Sequence, residues 1–112
     1  MATLVEIIKE KSKQILLLWE SKRIEKLLTT LYADDACFLD NGVTYNGHDE
    51  LLKVFEKIQD IQFEVTSDEV SVVSDDSVIQ ALQCKWDGAD RNGKVTWKKI
   101  DNDWKVTCEE WY

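Results

Sequence analysis

The sequence predicts an α+β domain in which three N-terminal helices pack in a strongly curved antiparallel sheet. Three observations predict it. Apolar residues recur at helical spacing through the first half of the chain, a short hairpin pattern interrupts that half, and from Ile61 the period changes to two and stays there. A meander that follows its own helices in the chain can curl around them. At 112 residues this is one domain, positions 1–112, with material for one core and one cavity.

Leu4, Ile7, Ile8, Ile15, Leu18 and Trp19 define the apolar face of a long first helix, with Lys9, Glu10, Lys11 and Lys13 opposite. Glu20-Ser21-Lys22 breaks the pattern, and Ser21 is the expected cap of a second helix with the stripe Ile24, Leu27, Leu28 and Leu31. After a polar turn at Asp34-Asp35, Ala36 to Leu39 reads as a short apolar strand. Asn41-Gly42 then permits a reversal into Thr44-Tyr45. The third helix starts near His48, where Asp49 and Glu50 favour the positive end of the helix dipole, and Leu51, Leu52, Phe55 and Ile58 face inward.

In the meander, Ile61, Phe63 and Val65 alternate with polar residues, whereas Val70 and Val72 carry the opposite parity. An extra residue around Ser67-Asp68-Glu69 therefore implies a bulge or bend. Asp75-Asp76 is a tight turn. Val78, Leu82, Cys84 and Trp86 form the apolar side of the next strand, Asp87 to Gly93 reads as a hairpin loop, and Val95 and Trp97 mark a strand. Asp101-Asn102-Asp103 turns the chain into the last one, Trp104 to Trp111.

The formal charge of −8 is spread without long acidic blocks, so nucleic acid and anionic membranes are disfavoured as partners. No run approaches membrane-spanning length, and the N-terminal stretch lacks the uninterrupted apolar core of a signal peptide. Cys37, Cys84 and Cys108 lie within apolar runs and cannot all pair. They are expected as buried, reduced thiols, which implies a cytoplasmic location. The isolated glycines form no phosphate-cradling loop. The single histidine, His48, has no second ligand at metal spacing and is expected at the surface, so neither cofactor nor metal is expected.

Chemistry concentrates around Leu31 to Asp40. The apolar strand delivers one carboxylate, Asp40, at its far end, where partial desolvation would raise its pKa and suit it to act as a base or a hydrogen-bonding acid. Asp40-Asn41-Gly42 is equally good turn chemistry, and the local pattern alone leaves both readings open.

Over nearly its whole length the chain resembles the nuclear-transport-factor-2-like superfamily, the cystatin-like α+β cone that includes ketosteroid isomerase and the SnoaL-like polyketide cyclases. The carriers are Leu31-Tyr32-Ala33-Asp34-Asp35-Ala36, the Asn46-Gly47 entry to the third helix with Leu51 and Phe55, Trp86-Asp87-Gly88, and Asp103-Trp104-Lys105-Val106 leading to Trp111. The resemblance implies a pocket in which Asp40 holds the place of the isomerase's general base, with Tyr32, Phe55 and Trp111 as pocket aromatics. Leu16 falls where the isomerase has its oxyanion-hole tyrosine and Thr96 where it has its protonated aspartic acid. Losing such donors, each commonly worth roughly 3 kcal/mol, argues against steroid isomerisation. What the resemblance leaves is a pocket for a small apolar or aromatic molecule, with Trp19, Leu82 and Trp86 in its lining and Glu109 as a second candidate carboxylate. Trp19, Trp86 and Trp104 equally suit the core.

The last strand presents a conflict. Alternation puts Trp104, Val106 and Cys108 on one face, whereas the family register puts Thr107, Glu109 and Trp111 in the pocket. A sheet covered on both sides, by helices within and by a second subunit outside, would reconcile them. Trp97, flanked by Thr96 and Lys98-Lys99, is accordingly expected on the outer face in a homodimer interface. The competing expectation is a non-catalytic dimerisation or protein-interaction module whose cavity is filled by Tyr32, Phe55 and Trp111.

Overall fold

The computed structural model describes residues 2–112. It contains helices α1 (Leu4–Glu20), α2 (Ile24–Leu31) and α3 (Gly47–Ile58), and strands β1 (Tyr32–Asp40), β2 (Val43–Asn46), β3 (Phe63–Ser74), β4 (Ser77–Trp86), β5 (Ala89–Ile100) and β6 (Asp103–Trp111). The strands form one curved six-stranded sheet in the order β2-β1-β6-β5-β4-β3. Every neighbouring pair is antiparallel except β1 and β6, which run parallel. The helical half of the chain thus delivers its one long strand beside the chain's last.

Helices cover the concave face. Leu27, Leu31 and Leu51 are completely buried there, each contributing on the order of 1.5–3 kcal/mol of apolar transfer. Thr3 caps α1, its hydroxyl accepting from the Glu6 N–H at 3.2 Å. Ser21 does not start α2 as expected. It ends α1, donating its hydroxyl to the Leu17 carbonyl at 2.9 Å, and the α2 cap residue is Arg23, which makes no side-chain bond. Three reversals place two consecutive residues at positive φ: Asn41-Gly42, Asp87-Gly88 and Asp101-Asn102. Such turns match the twist of a hairpin, so the expected loop from Asp87 to Gly93 collapses to two residues, and β5 begins at Ala89.

Bulges set which side chains face inward. On β3 the register slips between Val65 and Ser67, so Thr66 is the extra residue, just before the expected bulge position, and inward parity passes from Phe63 and Val65 to Asp68, Val70 and Val72. On β6, Val106 pairs with Trp97 while Cys108 pairs with Thr96, so Thr107 is the extra residue. Trp104 and Val106 therefore face inward before the bulge, and Glu109 and Trp111 face inward after it. One inserted residue resolves the parity conflict, and no second subunit is needed to explain it.

Three further expectations are corrected. Trp97 is not on the outer face: it is wholly buried opposite Val78 and Val106, and its indole N–H donates to the Gln80 side-chain oxygen at 3.0 Å. Cys37 and Cys108 are not free thiols. Parallel pairing of β1 with β6 sets them opposite one another with Cα atoms 4.6 Å apart, and they form a disulfide, which removes the premise for a reducing compartment; Cys84 stays buried and free. His48 is half-buried, and its Nε2 faces the carbonyl oxygens of Tyr32 and Ala33 at 3.2 and 2.9 Å, so that nitrogen carries the proton and ties α3 to the start of β1. No helix of the described residues is long and apolar enough to cross a membrane.

Candidate functional site

Between the helices and the concave face lies a cavity of about 70 Å³. By volume that is room for about two water molecules at roughly 30 Å³ each, and a ring would have to sit partly in the mouth. Helix α1 contributes Ser12, Ile15, Leu16 and Trp19 to its lining, and α3 contributes Phe55 and Ile58. The sheet contributes Tyr32 and Phe38 from β1, Phe63 and Val65 from β3, Gln80, Leu82, Cys84 and Trp86 from β4, Val95 from β5, and Glu109 and Trp111 from β6. The aromatic rings interlock edge to face: Phe55 meets Trp19 at 5.5 Å, Tyr32 at 5.8 Å and Phe38 at 5.1 Å between centroids, and Trp86 meets Phe63 at 4.9 Å and Trp111 at 5.0 Å. Val65, 38 % exposed, and the half-buried Ser12 and Leu16 place the mouth between α1 and β3.

The one carboxylic acid in this lining is Glu109. One carboxylate oxygen accepts from the Tyr32 hydroxyl and the other from the Trp111 indole N–H at 2.7 Å. Burial pushes the Glu109 carboxyl above its ordinary 4.5, against the opposing pull of those two donors. Tyr32 is pushed well above 10.0, first by burial and then by the adjoining Glu109 charge and hydrogen bond, so it remains a donor at neutral pH. Burial also raises the Cys84 thiol to about 11, which leaves it protonated and unsuited to act as a nucleophile. Gln80 is fully buried and its amide is fixed at both ends: it accepts from Trp97 and donates to Asp68 at 3.0 Å. The Trp86 indole N–H, also buried, has no partner among the described residues.

Asp40 takes no part in this lining. It lies on the same face as Glu109 but farther along β1, opposite Trp111, and its carboxylate receives the Arg91 guanidinium at 2.6 Å. Arg91 also donates to the Tyr112 carbonyl at 3.1 Å and stacks on Trp86 at 4.2 Å from the ring centre. Thr96 is absent from the cavity too: Val95 and Trp97 point inward on either side of it, so alternation turns it to the outer face opposite Cys108. The other residues expected in the pocket, Leu16, Trp19, Tyr32, Phe55, Leu82, Trp86, Glu109 and Trp111, do line it.

Gln80 and Arg91 were not anticipated. Gln80 carries a signal in the sequence, being a polar residue in phase with Val78, Leu82, Cys84 and Trp86. Arg91 becomes legible only once the Asp87-Gly88 turn is known to take two residues, which brings it into phase with Gly93, Val95 and Trp97.

No family model and no curated protein matches the sequence. Solved structures do match in shape. An NTF2-like protein from Cytophaga hutchinsonii superposes with a TM-score of 0.82 at 17% identity over 98% of each chain. A protein of cystatin-like fold from Caulobacter vibrioides gives 0.81 at 11% identity, over 94% of this chain and 85% of the other. A protein from Parabacteroides distasonis, provisionally named a ketosteroid isomerase, gives 0.75 at 18% identity, over 97% and 86%. The chain therefore has the cystatin-like, NTF2-like fold.

Proposed function

We propose that this protein binds a small apolar or aromatic molecule inside the cone, and that Glu109, not Asp40, is the group that meets it chemically. The observation that carries this reading is a carboxylate with a raised pKa, oriented by Tyr32 and Trp111, in a cavity otherwise walled by rings and aliphatic side chains. A carboxyl whose pKa is raised by burial holds its proton to higher pH than an ordinary one, which suits acid/base chemistry. Binding rather than enolate chemistry is favoured because Gln80, which faces the cavity from β4, is already hydrogen-bonded to Trp97 and Asp68 rather than held ready to stabilise a developing oxyanion. The alternative, a homodimerising interaction module whose interior is simply packed, draws its support from the small volume of the void.

Indole N–H resonances separate the two. A screen of single-ring fragments by ¹⁵N NMR is expected to move the Trp111 and Trp86 signals and leave that of Trp104, which does not line the cavity, in place. Fragments that move none of these signals, together with sedimentation as a dimer, would favour the interaction module.

A further inference from the structure

We infer that the cavity selects a small organic cation, a protonated amine on a single ring or short alkyl chain, in preference to a neutral or anionic molecule of the same shape. This inference rests on the cavity being a ligand site and adds the charge of the ligand.

Three observations support it. First, Glu109 lacks a counter-charge. Among the described residues Asp40 pairs with Arg91, Asp103 with Lys11 and Glu110 with Lys94, whereas Glu109, like the half-buried Asp68 that accepts from Gln80, has only neutral donors, those of Tyr32 and Trp111, and of these two unpaired carboxylates it alone lines the cavity. Each carboxylate oxygen has two lone pairs, and these donors occupy one apiece, so acceptor capacity remains for a donor arriving through the cavity. Second, no Lys, Arg or His lines the cavity, and Arg91, which stacks on Trp86, is held by Asp40 and the Tyr112 carbonyl. An entering anion would meet a carboxylate with nothing to offset it. Third, the walls are rings. Indole and phenyl faces attract cations through their quadrupoles, by about 0.5–1 kcal/mol when exposed and about 2 when desolvated, and Trp is the strongest of them. Trp19, Phe55, Phe63 and Trp86 line the same cavity as Glu109. A net charge of −8 draws cations toward the mouth as well. The limited volume admits the ammonium end of such a ligand beside Glu109 and leaves a ring partly in the mouth between α1 and β3.

Three probes of one shape test the charge: benzylammonium, benzyl alcohol and benzoate, titrated by calorimetry and tryptophan fluorescence against the full chain. Benzylammonium is expected to bind at least about tenfold more tightly than benzyl alcohol, with benzoate undetectable. In Glu109→Gln, which keeps the side-chain size but not the charge, the ratio of ammonium to alcohol affinity should fall to about one, whatever the change in either affinity alone. Glu110→Gln removes the same charge from the outer face and should leave the preference intact, which separates a local carboxylate from the general field. Equal or tighter binding of the alcohol, or an ammonium preference that survives Glu109→Gln, overturns the cation assignment and leaves the ligand site standing. If none of the probes binds, the site and the inference fall together.

Discussion

Glu109 and Asp40 sit on paired strands, facing the same side of the sheet, with Phe38 opposite Glu109 and Trp111 opposite Asp40. Two residues along a strand separate their situations. Asp40, at the strand end, is reached by a guanidinium from β5 and becomes one half of a salt bridge that ties β1 to β5 across the end of β6. Glu109, one pleat inward, is reached only by a phenol and an indole. In a cone whose aromatic lining narrows the interior, a carboxylate's depth decides whether a long cationic side chain can follow it. The acid available to a ligand is therefore the one that is too deep to be paired from the rim.

Trp111 joins the two regions. Its indole N–H donates to Glu109, its ring packs on Trp86, and Trp86 carries Arg91. The ring can lie there only because Gly93 stands opposite it: a Cβ at Gly93 would come within 2.5 Å of Cζ3 and 2.7 Å of Cη2. Gly93→Ala is the most damaging of the changes that test the comparison. A rigid indole must move, so a loss of roughly 1–3 kcal/mol is expected from overpacking, read as a lower urea midpoint at unchanged slope. The Trp111 indole resonance should shift as its bond to Glu109 breaks. A stable Gly93→Ala protein with that resonance unmoved would show that the ring does not need this seat.

A smaller effect comes from Glu109 itself, through pH. Its folded-state pKa lies above the ordinary 4.5, so between that value and the raised one the folded protein holds a proton that the unfolded chain has released. Stability must then fall as pH rises through this window, because the unfolded state binds fewer protons there. Asp103 acts with the opposite sign and lower down. The hydrogen bond from Lys11 holds its carboxyl below the ordinary 3.8, so its contribution is lost as pH falls. Urea stability measured from about pH 4 to about pH 8 should show a decline in the wild type relative to Glu109→Gln, with the Asp103 effect cancelling in the difference. A flat difference would mean that Glu109 is as well solvated as a rim carboxylate.

The sheet and helices were legible because each is a periodicity, and periodicity survives in sequence. Even the β3 bulge showed as a parity change between Val65 and Val70, since apolar residues mark both sides of it. The β6 bulge did not, because Cys108 reads as apolar on either face and hides the slip at Thr107; that single residue decides whether Glu109 is inside. The outward expectation for Trp97 failed for a related reason. Its flanking lysines described the alternate positions of the strand rather than its own. The partial desolvation expected of Asp40 followed from its place at a strand end, but its partner lies 51 residues away, and no local pattern reveals it. Similarly, the Cys37–Cys108 pairing spans 71 residues and depends on the parallel contact of β1 with β6.

The smallest expected effect is at the rim. In Asp40→Asn the Arg91 guanidinium loses its charged partner but keeps the Tyr112 carbonyl and the face of Trp86, and both side chains retain access to water, at 16% and 30% of their side-chain surface. A partly solvated pair of this kind is worth about 1 kcal/mol or less, so the urea midpoint should move slightly and fragment binding in the cavity not at all. The comparison between the two carboxylates is sharpest in this variant. If Asp40→Asn abolished binding while Glu109→Gln preserved it, the ligand's chemistry would belong to the rim after all, and the deeper acid would be no more than a hydrogen-bonded part of the core.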